Sequence, residues 1–317
     1  MKKSINCYIL GVCLVALASC QKANDEIQPE ETLLPMSIVA RIGEAEPATS
    51  RYAGTPDNAQ FTTGDQIGIF MDGSALTQWN HGSLRWEPTE TVLWPDTNEH
   101  TFKAFYPYLE DTEYSYESIP MPSLLGQEGT FESIASKDFL IASSTQSYGT
   151  DGIVKFQGNG KTFQHVSSLV HLLLKDSLDL EGASIDRILI TGSNIVASSI
   201  YSFETNKVQL KADADSDNLD VSLEHTMSGN ADFYFVLNAK PSTSGNVSLT
   251  IEYTKDDKEY IAELSSFSGN TFKSDSQHNF TISIQNNQMF ISEAEISGWT
   301  QEEMQDITIN SQEKQDE

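Results

Sequence analysis

Along most of this chain apolar and polar residues alternate with a period of two. Met36, Ile38, Ala40 and Ile42 alternate with Ser37, Val39, Arg41 and Gly43, which predicts a strand with one apolar face. Val247, Leu249, Ile251 and Tyr253 alternate in the same way with Ser248, Thr250, Glu252 and Thr254. There Asp256-Asp257 turns the chain back into Tyr260, Ala262 and Leu264, the pattern of a hairpin. Phe280, Ile282 and Ile284 repeat the alternation. Residues 232–237 (Asp-Phe-Tyr-Phe-Val-Leu) are apolar on both faces and predict a central strand covered from both sides. The first half holds shorter candidates at 61–70, 84–86, 101–108, 138–142 and 153–156, separated by turn-rich stretches. No window of 11 or more residues carries a convincing 3.6 period. The pattern therefore predicts an all-β protein, most simply two antiparallel β-sandwiches in series.

The first residues break that pattern. Lys2-Lys3, then Tyr8-Ile9-Leu10 and the apolar run from Val12 to Leu17, give a positive start and a short apolar core. Small residues before a cut site complete a secretory signal. The run falls short of the roughly 20 residues a membrane span needs. It closes on Leu17-Ala18-Ser19-Cys20, the spacing of a lipobox, which predicts acylation of the Cys20 sulfur, with palmitate-type chains, at the new N-terminus. Two or more acyl chains hold a protein stably on a membrane, whereas one does so only marginally. The expected organisation is a lipoprotein signal at 1–19, a tether and leader strand at 20–51, an N-terminal sandwich at 52–160, and a C-terminal sandwich with a terminal strand at 161–317. The tether is polar and acidic, and Gly158-Asn159-Gly160 marks the expected boundary between sandwiches.

Composition narrows the function. Cys7 and Cys13 leave with the signal and Cys20 carries lipid, so no disulfide is expected in the mature chain. The formal charge of −27 opposes binding to nucleic acid and adsorption to anionic lipid. No Gly-x-Ser-x-Gly elbow, His-Glu-x-x-His or phosphate loop occurs, so neither catalysis nor a cofactor is expected. Asp213, Asp215 and Asp217, with Glu224 at the twelfth position, copy the spacing of a calcium loop. Position six is Asn218 rather than glycine, so a solvated acidic hairpin loop is the competing reading. Among four tryptophans, Trp79 alone has polar neighbours on both sides, in Thr77-Gln78-Trp79-Asn80. An exposed ring there would stack on a sugar, which makes a surface glycan-binding lipoprotein the rival function.

Several fragments, taken in order, resemble the fimbrillin family of Bacteroidetes pilus subunits, in particular its Mfa-like members. They are the lipobox, the strand and loop ending at Arg51, and Phe61-x-x-Gly64-Asp65-x-Ile67-Gly68-Ile69-Phe70. Trp94-Pro95, Phe102-Lys103-Ala104-Phe105-Tyr106-Pro107, His165-x-x-Ser168-x-Val170 and Ile296-Ser297-Gly298-Trp299 follow. The resemblance implies two transthyretin-like sandwiches, export as an outer-membrane lipoprotein, and assembly with other fimbrial subunits by strand exchange. It also implies adhesion to host or bacterial surfaces and no enzymatic role. Carried over by position, an arginine-specific cut would follow Arg51, with Arg41, inside the first strand, as runner-up.

Strand exchange makes two demands on the sequence. Met36, Ile38 and Ile42 would plug a groove in the precursor, and a donor strand would later replace them. Met304 to Ile309 offers a donor pattern, with Ile307 and Ile309 on one face. Two isoleucines alone would make a marginal joint. An ordinary edge strand would show the same pattern.

Overall fold

Wherever alternation is regular, the computed structural model places strands. It describes residues 35–43, 60–110, 112–149, 151–158, 160–211, 215–239, 246–268, 272–299 and 305–306. The first half contains β1 (Ser37–Ala40), β2 (Gln66–Met71), β3 (Ala75–His81), β4 (Trp86–Pro88), β5 (Glu99–Tyr106), β6 (Ile119–Pro120), β7 (Leu140–Ser147), β8 (Ile153–Phe156) and β9 (Gln164–His165). Six of these form one antiparallel sheet in the order β4-β3-β2-β5-β7-β9. Alternation gives this sheet two apolar faces. Ile67, Ile69, Phe102, Ala104 and Leu140 point to one core, while Phe70, Phe105 and Phe139 join another.

Each face has its own cover. The first is roofed by the parallel pair β1-β8, through Met36, Ile38, Ile42, Val154 and Phe156. The second lies on a three-stranded sheet, β13-β12-β6, built from β12 (Ser198–Ser202), β13 (Lys207–Lys211) and β6, through Ile119 and Tyr201, with Phe203 beside them. The sheet itself leaves no room for one side chain. A Cβ on Gly68 would lie 2.3 Å from the buried ring of Phe105, its cross-strand partner. Glycine is what lets that ring lie across β2.

The remaining strands are β10 (Ser168–Leu174), β11 (Ser184–Thr191), β14 (Asn218–Thr226), β15 (Ala231–Leu237), β16 (Val247–Lys255), β17 (Lys258–Ser268), β18 (Ser276–Gln285), β19 (Gln288–Gly298) and β20 (Gln305–Asp306). They form a five-stranded sheet, β15-β10-β18-β19-β20, facing a four-stranded one, β14-β11-β16-β17. Leu172, Phe233, Phe235 and Ile282 from the first share one core with Ile188, Ile190, Leu249 and Ile251 from the second. Leu124 and Ile134 join that core from the first half of the chain. One 3-10 turn, Glu132–Ser136, is the longest helical element among the described residues.

The hairpin at Asp256-Asp257 is present, both residues having positive φ (49° and 57°) between β16 and β17. The 232–237 segment departs from expectation. Phe233, Phe235 and Leu237 are buried, yet β15 is the edge of its sheet, bonded only to β10 within it. A loop takes the place of the missing neighbour. The Gln127 side-chain amide donates to Val236 O and accepts from Val236 N–H, and Tyr234 N–H donates to Gly129 O. Phe131 packs edge-on against Tyr234. Apolarity on both faces thus records a cover that is partly loop.

Candidate functional site

β1 is the element on which a functional reading turns. Its alternation buries Met36, Ile38 and Ile42 to 5%, 5% and 4% exposure and turns Ser37, Val39 and Arg41 outward. Ala40, half-buried, packs against the same core. In register, Ser37 to Ala40 pair with Ile153 to Phe156. The backbone is gripped at both ends. Met36 N–H donates to Val92 O at 2.7 Å, and Ser37 N–H to Gly152 O at 3.2 Å. At the far end Arg41 N–H reaches Phe156 O, Gly43 N–H reaches Phe163 O, and Arg41 O accepts from Phe163 N–H at 2.8 Å.

The cradle is stiffened from below. The Trp94 indole, 1% exposed, donates to the same Gly152 oxygen at 2.8 Å and packs edge-on against Phe102 and Tyr148. Nearby, both ring nitrogens of His100 meet carboxylates, Asp72 at 2.6 Å and Asp96 at 2.9 Å. These hydrogen bonds raise the His100 pKa, while the imidazole and neighbouring backbone N–H groups hold both carboxyls below the usual range. Trp94 was legible as part of a resembling fragment. Val92, Gly152 and Phe163 were not, because only the folded chain brings them to one strand.

A second buried cluster ties the two halves together. His165 in β9 donates from Nδ1 to both oxygens of Asp138 at 3.0 Å, with both side chains fully buried. Its ring stacks on Trp299 at 4.0 Å and 7°. Its backbone N–H donates to Asp275, whose carboxyl pKa is pushed up by burial against the opposing pull of His165. Two of the resembling fragments, at 165–170 and 296–299, thus meet face to face.

The other candidates separate cleanly. Cys20, Arg51, Asp213, Ile307 and Ile309 lie outside the described residues. Arg41 has an exposed side chain on a backbone bonded in both directions. Asp215, Asp217 and Glu224 are exposed, and Asp217 caps the Asn194 backbone N–H. Among the described residues no group of three or more His, Cys, Asp or Glu side chains converges as a metal site. Trp79 does not sit on an exposed loop. It is fully buried in β3, paired between Ile67 and Pro88, with its indole N–H on Thr77 Oγ1 at 3.0 Å. Its polar neighbours are simply the outward positions of an alternating strand. No ring face is left there for a sugar.

Solved structures share this fold. A candidate cell adhesion protein from Bacteroides ovatus superposes with a TM-score of 0.63 at 16% identity, covering 86% of this chain and 99% of the other. A second, from Bacteroides uniformis, gives 0.59 at 17% identity, covering 86% and 100%. These place the chain in a class of all-β proteins of stacked antiparallel sheets. A model of the fimbrillin-like family matches residues 51–299, and the chain belongs to that family. No curated protein matches it.

Proposed function

We propose that this chain is a fimbrial subunit of the cell surface whose N-terminal leader holds a groove that a strand of another subunit later fills. The observation that carries the reading is β1. It is half of a two-stranded layer, and its removal would leave β8 alone over the apolar face of a six-stranded sheet. Such a face, edged by the free backbone groups of β8, is what an added strand satisfies. The family match begins at residue 51, so β1 and the leader precede the matched region.

In this reading Cys20 is acylated and anchors the precursor to the outer membrane. A cut after Arg51 then frees β1, while Arg41 is protected by the backbone bonds on either side of it. Met36, Ile38 and Ile42, at about 1.5–3 kcal/mol each, keep the uncut precursor folded and its groove closed. The cut breaks only the covalent link, and an incoming strand must still displace the plug. Met304 to Ile309 is the segment this chain would offer in turn, to a neighbour. The role is structural and adhesive, without chemistry.

The test is the Arg51→Ala variant expressed in the native cell. It should fold and label with fatty acid but stay out of the polymer, and Cys20→Ser should lose the label. Incorporation of Arg51→Ala at the wild-type level, with its leader present by mass spectrometry, would defeat the reading.

A further inference from the structure

We infer that the groove beneath β1 takes its replacement strand from a different subunit and rejects the tail of a second copy of this chain. The inference rests on the proposed function and names the partner of that site. The groove imposes a pattern. It buries large apolar side chains at 36, 38 and 42, and at 40 it holds a small one, whose register partner is the fully buried Phe156. A replacement must therefore be large and apolar at the places of 36, 38 and 42, while half-buried Ala40 marks a place that makes no such demand.

The tail of this chain fails that pattern in every frame. With Ile307 and Ile309 in the places of Met36 and Ile38, Ser311 falls at the place of Ala40, but Glu313 falls in the pocket of Ile42. That pocket adjoins Phe163, which is 0% exposed and bridged to Ile42. Shifting the tail by two puts Gln305 in the Met36 pocket. Reversing it places Glu303, or Gln305 with Ser311, at buried positions. The opposite face supplies Met304, Asp306, Thr308 and Asn310. An unpaired carboxylate or amide in an apolar pocket is the penalty in each case, and it discriminates between donors. Charge acts in the same direction, since two copies cut after Arg51 carry 14 − 40 = −26 each and repel before contact. The partner that fits is a strand of another chain carrying large apolar residues at i, i+2 and i+6.

One substitution should reverse the preference. In the first frame Glu313 is the sole mismatch, so Glu313→Ile turns the tail into a match for its own groove. Gln312→Ile adds the same apolar bulk on the opposite face and serves as the control. Full chains in an Arg85→Lys background are cut with an arginine-specific protease, the cut after Arg51 is verified by mass, and size is measured by light scattering. The cut parent and Gln312→Ile should remain monomers at concentrations where cut Glu313→Ile forms chains. A labelled peptide of residues 35–43 should exchange into the cut parent. A peptide of residues 303–313 should bind on the order of a hundredfold more weakly. Homopolymer formation by the cut parent, or a monomeric Glu313→Ile, overturns the inference while leaving the proposed function standing. Failure of the 35–43 peptide to exchange overturns both.

Discussion

The two sandwich-like halves close their apolar cores differently. In the C-terminal half both layers are broad, and their strands are tied by tight hairpins, β16 to β17 and β18 to β19. In the N-terminal half the roof is two short strands, and β1 reaches the rest of the fold through residues 44–59. The proposed exchange of β1 would therefore leave the six-stranded sheet beneath it intact. What distinguishes the roof is that it is thin and that one of its two strands, β1, is the first strand described.

The sharpest way to break that contrast is to excavate the thick half. Phe235→Ala, at a fully buried position, should cost about 3–5 kcal/mol and lower the urea midpoint, with the loss shared by the core strands β10, β15 and β18. A loss below about 1 kcal/mol would mean that the C-terminal core tolerates voids and is no more solid than the roof.

Next comes pH, which should act on the halves in opposite directions. Burial lowers the His278 pKa to about 4, and the neutral ring accepts the Lys273 backbone N–H. Its folded value lies below its unfolded one, so stability is full above about pH 6.5 and is lost as the pH falls toward 4, on the order of 3 kcal/mol. His100 is the reverse case. Its raised pKa makes stability complete below about pH 6.5 and lost as the pH rises through the folded value. Amide exchange followed across this range should show β18 loosening in acid and β5 loosening in mild alkali. His278→Asn and His100→Gln should each flatten one arm alone. If both strands respond in the same direction, the histidines do not report on separate halves.

The smallest expected effect is the most telling for the roof. Ile38→Ala should cost about 2 kcal/mol in the uncut chain, the low end for such a truncation because a short strand at an open margin can settle into the void. After a cut at Arg51 the same change should speed loss of residues 35–43 by roughly thirtyfold, measured by mass spectrometry of the released fragment. An unchanged release rate would show that the buried face of β1 is not what retains it.

How much of this was legible in the sequence depended on the range of the signal. Period-two runs located β1, β16, β17 and β18, because alternation is a local property of a half-buried strand. Trp79 misled because polar neighbours look the same on a loop tip and on the outer face of a strand. The position of 232–237 misled because apolarity reports burial, and here Gln127 and Phe131 rather than a second strand supply the cover. The stack of His165 on Trp299 was beyond reach. It joins residues 134 positions apart, and nothing in either fragment names the other.

The rungs that hold β1 carry one more consequence, a mechanical one. They cross between two strands lying side by side, from Ser37 opposite Ile153 to Ala40 opposite Phe156. A strand seated in that slot and tugged along its own length strains every rung at once, whereas one lifted from its tip would part them singly. A filament whose joints lie along the pull would therefore withstand sudden drag better than the modest count of contacts at each joint suggests, and would still let a strand peel free when approached from one end.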